Sequence, residues 1–118
     1  MADIADAAQV KQMVDSILAR HGRIDILVLN ASVRREVRFV DMSFEQWQVP
    51  LSISLDGSFH CIKAVLPSMI ASGGGNIIAL TGSNVLTGAI GKVHSSAAKS
   101  GLTGMIRALA REVGPMGI

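Results

Sequence analysis

A chain of 118 residues holds at most one small domain. Its side chains are 49% hydrophobic but only 3% aromatic, so burial must rest on Val, Ile, Leu, Met and Ala, which argues against intrinsic disorder. A formal net charge of +2 is too small to imply a polyanionic partner, and without aromatics interleaved among the basic residues a nucleic-acid partner is not expected.

The N-terminus carries Asp3 and Asp6 where a signal peptide would be apolar, and no stretch reaches membrane-spanning length. The expectation is therefore a soluble, cytoplasmic protein with no membrane partner. The first predicted element is a helix. Asp6 is a good N-cap with Gln9 three positions on, Val10, Met13, Val14, Ile17 and Leu18 follow at helical spacing, and Gly22 ends the run. Ile24 to Leu29 reads as a short buried strand, because a parallel strand covered on both faces is a continuous aliphatic run.

From Ser32 to Asp41 the chain is polar and charged and is expected to be a loop. Its basic residues Arg34, Arg35 and Arg38, interrupted by Glu36, read as a solvated surface rather than an anion site. Ser43 with Gln46 is a second capping box, opening a helix that should run to about Met69, bent or restarted at Pro50. Cys61 lies in its apolar part, cannot form an internal disulfide, and reads as a buried small side chain.

Ser72 to Gly75 is glycine-rich but precedes a strand. A phosphate cradle needs the opposite order, strand then helix N-terminus, so a plain turn is expected. Asn76 to Thr81 is the second strand. A loop containing Gly82, Gly88 and Gly91 leads to a third helix from about His94 to Val113, ended by Gly114-Pro115. Alternating helices and strands signal a doubly wound α/β sheet with right-handed crossovers, of which two strands make only a part. The three histidines and one cysteine show no metal-ligand spacing, so no metal site is expected. Nor does Ser83 sit in the Gly-x-Ser-x-Gly setting of a hydrolase.

Several of these segments, in this order and spacing, resemble the short-chain dehydrogenase/reductases. Leu29-Asn30-Ala31-Ser32 is similar to the family's Asn-Asn-Ala-Gly after the fourth strand. Ile77 to Ser83 resembles the strand that ends in its catalytic serine, and Ser95-Ser96-Ala97-Ala98-Lys99 resembles its Tyr-x-x-x-Lys helix. Gly22-Arg23-Ile24-Asp25, Leu55 to Phe59 and Leu109-Ala110-Arg111-Glu112 are supporting matches. The resemblance covers residues 1–118 as one incomplete Rossmann-type domain, family strands four and five with three flanking helices. It implies a chain truncated at both ends, without the family's upstream glycine-rich turn.

The resemblance also implies a chemistry: hydride transfer between NAD or NADP and a small-molecule carbonyl or alcohol, closest to the 3-oxoacyl-carrier-protein reductase branch. In the family a tyrosine exchanges the proton, and the lysine four residues on lowers its pKa and binds the nicotinamide ribose. A serine steadies the substrate oxygen and an asparagine holds a relay water. Carried over, Ser83 matches the serine and Lys99 the lysine, whereas Ser54 stands at the asparagine position and Ser95 at the tyrosine position. The chain has no tyrosine at all. An aliphatic hydroxyl is a far weaker acid than a phenol, so Ser95 is not expected to replace it alone.

His94, with an unperturbed pKa near ~6.5, is the neighbour that would suit proton transfer. The opposing expectation is a helix-start histidine with no such role. Asp3, Asn30, Ala31, Ser32 and Lys99 stand at the family's cofactor-contacting positions. The expected homo-oligomer forms through helices 43–69 and 94–113. Alone, the chain is expected to be inactive. The competing expectation, drawn from Ser54 and Ser95, is a non-catalytic member kept as a binding or oligomerisation module.

Overall fold

Asp6 begins the first helix by turning its carboxylate onto the exposed amides, Oδ1 accepting from Ala8 N at 2.8 Å and Gln9 N at 3.2 Å. The computed structural model describes residues 2–118. Helix α1 (Ala7–His21) ends at Gly22, whose φ of +79° places it in the left-handed region and lets its N–H reach Leu18 O at 2.8 Å. The predicted cap and stop are both as expected.

Strands β1 (Ile26–Leu29) and β2 (Asn76–Ala79) pair in parallel, with Ile26 opposite Asn76 and Leu29 opposite Ala79. Regular pairing is shorter than the predicted strands, although Asn76 N to Asp25 O (2.9 Å) and Leu80 N to Leu29 O (3.0 Å) extend the ladder at each end. On one face Leu27, Leu29, Ile77 and Ala79 pack into the core. On the other, Ile26, Val28, Ile78 and Leu80 are exposed. Among the described residues the helices therefore form one layer, where cover on both faces was expected.

The core joins that face to three helices: Val10 and Val14 of α1, the Cys61, Ile62, Val65 and Met69 stripe of α3 (Gly57–Ala71), and Leu102 of α5 (Val93–Val113). Cys61 is buried and free, as read from the sequence. Gly75 has to be small, because a Cβ there would lie 2.7 Å from the Met69 sulfur.

Ser43 and Gln46 form the predicted capping box, Gln46 N donating to Ser43 Oγ at 3.2 Å and Ser43 N to Gln46 Oε1 at 2.9 Å. They start α2 (Phe44–Leu51), but the chain does not restart at Pro50. It passes into a wider π turn (Ser52–Asp56) in which the Gly57 N–H reaches back five residues to Ser52 O, and then continues as α3. Proline removes one helical donor, and an extra residue in the following turn lets the helix go on without a break. Gly57 sits against Ile4, whose side chain would lie 2.8 Å from an added Cβ.

Gly73 and Gly74, with φ of +77° and +156°, make the expected plain turn before β2. After β2 a short helix, α4 (Asn84–Thr87), lies inside the segment read as loop. A 3-10 turn (Gly114–Met116) follows α5. No helix of the described residues is long and apolar enough to cross a membrane.

Candidate active site

Ligands of open α/β sheets bind outside the carboxyl ends of the strands. Here those ends open into a cavity of about 990 Å3, a size suited to small-molecule ligands. Three segments line it. The loop after β1 gives Asn30, Ser32, Val33, Arg34 and Glu36, the loop after β2 gives Leu80, Thr81, Gly82, Asn84 and Val85, and the start of α5 gives Lys92, Ser95, Ser96 and Lys99.

Lys99 crosses from α5 to the strand end, its Nζ donating to Leu80 O at 2.7 Å. Burial pushes its ammonium below the ordinary lysine pKa. One turn earlier Ser95 also faces the cavity, but its Oγ donates to Lys92 O at 3.1 Å, a bond to the carbonyl three residues back. Ser96 Oγ is buried without a partner.

Of the candidates read from the sequence, Asn30, Ser32, Ser95 and Lys99 are thus brought together. Ser83 is exposed and sits between two lining residues, Gly82 and Asn84, without lining the cavity itself. Its carbonyl starts α4 by accepting from Leu86 N at 2.9 Å and Thr87 N at 3.2 Å. Ser54 is buried in the π turn, where its Oγ donates to Ala31 O at 3.4 Å and its carbonyl accepts from Ser58 Oγ at 2.7 Å. It holds the Asn30–Ser32 segment from outside the cavity, and Ala31 contributes that carbonyl. Asp3 also lies outside, turning the chain ahead of α1 by accepting from Ala5 N at 3.0 Å.

His94 is 1% exposed and does not line the cavity. Neither ring nitrogen has a hydrogen-bond partner. Burial, with a smaller push from the Lys92 charge and only partial opposition from the Lys92 backbone, lowers its pKa below the ordinary value, so the ring is neutral. Helical geometry is the cause: from the start of α5, Ser95 turns to the cavity while the residue before it turns into the packed helix layer.

Sequence reasoning missed Arg34, Glu36, Lys92, Thr81, Asn84 and Ser96. The Arg34–Arg38 segment is largely exposed, as expected of a solvated loop, and is also fastened beside the cavity. Lys92 Nζ pairs with Glu36 Oε1 at 2.8 Å and donates to Arg35 O at 3.4 Å, while Val37 N donates to Gly91 O at 3.1 Å. The Lys92 partner holds the Glu36 carboxyl below the usual carboxylate range. The one visible signal was Glu36 interrupting a basic run; its partner lies far along the chain, beyond any local pattern.

Comparison with known proteins places this geometry. A family profile described as short chain dehydrogenase matches residues 1–118. The chain is 35% identical over 117 residues to a 3-oxoacyl-[acyl-carrier-protein] reductase of Synechocystis, covering 99% of this chain and 47% of that protein. It is 40% identical over 118 residues to the (2S)-[(R)-hydroxy(phenyl)methyl]succinyl-CoA dehydrogenase subunit of Thauera aromatica, again covering 47% of the relative. A gluconate 5-dehydrogenase from Burkholderia cenocepacia, solved in complex with NADP and tartrate, superposes with a TM-score of 0.94 at 30% identity over 98% of this chain and 46% of that one. The chain spans about half the length of the curated relatives it matches.

Proposed function

Since the chain belongs to the short chain dehydrogenase family, we propose that it is part of an NAD(P)-dependent oxidoreductase interconverting carbonyl and alcohol groups by hydride transfer, in the 3-oxoacyl-carrier-protein reductase-like branch. The observation that carries this reading is the cavity outside β1 and β2, lined together by Asn30, Ser32, Ser95 and Lys99. Those residues fit the nicotinamide end of the cofactor: polar side chains at the strand ends, one cation, and a buried unpartnered hydroxyl on Ser96. The bound cofactor would supply the hydride.

The chain's own residues supply the rest. Lys99, anchored on Leu80 O, presents donors to ribose hydroxyls and a positive charge that favours an oxyanion or phenolate nearby. Ser83 stands at the family's serine position next to the lining residue Gly82, and its side chain would have to turn to the cavity to steady the substrate oxygen. Ser54 is a positioning residue that keeps Ala31, and with it Asn30 and Ser32, against the helix layer. His94, neutral and turned away, serves packing in this reading. The chain on its own lacks a phenol for proton transfer and is inactive, and the protein works in the cytoplasm.

A second reading is favoured by the bond from Ser95 Oγ to Lys92 O, which ties up the hydroxyl standing at the proton-transfer position. Under it the chain is a non-catalytic family member that binds or oligomerises. Two measurements separate the readings. Purified chain incubated with NADH or NADPH and a panel of ketones is expected to show no turnover. Titration of isotope-labelled chain with reduced nicotinamide mononucleotide is expected to shift the resonances of Asn30, Ser32 and Lys99. Turnover would refute the inactivity, and an absence of shifts at millimolar ligand would refute the oxidoreductase reading in favour of the second.

A further inference from the structure

Four charged side chains line the cavity: Arg34, Lys92, Lys99 and Glu36. Two of them cancel, since Lys92 is paired with Glu36 at 2.8 Å and its side chain is only 17% exposed. Lys99 keeps its charge, since it donates to the neutral Leu80 O at 2.7 Å, and it faces the ribose in the reading above. Arg34 alone is left over. Among the described residues its guanidinium has no ion pair, and nothing in the cavity balances it.

Its position is not free, however. Two residues on, the loop is clasped to the approach of α5 by Lys92–Glu36, by Lys92 Nζ to Arg35 O and by Val37 N to Gly91 O at 3.1 Å. Gly91 suits the clasp by its backbone: its φ of +71° is one that other residues rarely take. The clasp fastens the segment that carries Arg34 to the approach of α5, and Arg34 lines the same cavity as Ser95 and Lys99.

From this we infer that Arg34 reads a carboxylate on the substrate, so that the ligand of this cavity is an oxo acid or hydroxy acid whose reacting carbonyl lies towards Ser95. The inference rests on the oxidoreductase reading of the cavity and departs from it in substrate, because a 3-oxoacyl thioester carries no free carboxylate. A guanidinium offers a planar fork of donors matched to the two oxygens of a carboxylate. The Lys92–Glu36 pair positions the reader and takes no part in reading.

The test is a titration of isotope-labelled chain with levulinate, a stable oxo acid, beside its uncharged methyl ester and inorganic phosphate. Levulinate is expected to shift resonances of Asn30, Ser95 and Lys99 and to bind about tenfold more tightly than the ester, a gain within reach of a hydrogen bond to a charged group. Arg34→Gln should remove that advantage, whereas Arg107→Gln, the same loss of charge on an exposed part of α5, should keep it. Equal binding of acid and ester at these resonances overturns the role of Arg34 and leaves the cavity reading standing. No shift from either overturns both. Phosphate binding more tightly than levulinate overturns the carboxylate, and an equal loss in both variants reduces the effect to bulk charge.

Discussion

The Lys99 ammonium and the Leu80 carbonyl meet at 2.7 Å, so the first turns of α5 are tied directly to the end of β2. The same ammonium stands one helical turn from Ser95, on the same side of α5. A phenol introduced at that position would feel its charge. Because the chain contains no tyrosine, Ser95→Tyr gives a protein whose phenolate absorbance reports one group. Its pKa is expected below the ordinary value of ~10 and should return there when Lys99→Met is added. A phenol titrating at or above ~10 in the single variant would remove Lys99 from the role given to it.

His94 makes a prediction about acid stability. Its pKa is lowered in the folded chain, mainly by burial, so the unfolded chain binds the proton more readily. Stability is then complete above the unfolded value near ~6.5 and falls as pH drops through and below it. Urea midpoints measured from pH 8 down to pH 5 should decline, and His94→Leu should flatten that decline. Since neither ring nitrogen is hydrogen-bonded, the apolar replacement should be neutral or stabilising at pH 6. An unchanged pH slope in the variant would show that the decline comes from other groups.

At Ser43 the expected effect is local. Ser43→Ala removes the hydroxyl that accepts from Gln46 N, while the Ser43 N–H keeps its bond to Gln46 Oε1, and should cost about 1 kcal/mol in urea unfolding, with Ser43→Asp recovering most of it. Equal stability of the alanine variant would mean that α2 is held by packing alone.

How far these features were readable depended on how local their cause is. The Asp6 and Ser43 caps, the Gly22 stop and the glycine turn at 72–75 are set by neighbours within a few residues, and all were legible. Aliphatic runs announced both strands, though not their ends, because the extent of pairing is set by the partner strand and no single run encodes that. The site was half legible. Asn30, Ser32, Ser95 and Lys99 stood out through the resemblance of their segments to the family's motifs. His94 and Ser54 were visible as residues but not as directions: one turns into the helix layer, the other, through a π turn, towards Ala31. Arg34 was read as part of a solvated loop and is exposed, but the fastening of its segment depends on Lys92 and Gly91, residues that only the fold brings near.

Phe59 and Ile70 remain exposed on α3, where apolar surface on a monomer favours association. Sedimentation velocity is expected to show a concentration-dependent dimer or larger species, and Phe59→Glu should shift it towards monomer. Monomer at every concentration in the unmodified chain would count against helices 43–69 and 94–113 as an interface.

The π turn at Ser52–Asp56 also sets a mechanical phase. Each residue of an α-helix advances the chain by about 100° of rotation, so removing one residue from this turn would restore regular winding and swing all of α3 by that angle. The stripe of Cys61, Ile62, Val65 and Met69 would then rotate off the sheet, carrying charged and polar neighbours such as Lys63 inward. A shortening that looks trivial along the chain is therefore intolerable in space, whereas lengthening the exposed Ser32–Asp41 segment ahead of α2 leaves the gearing of the helix untouched.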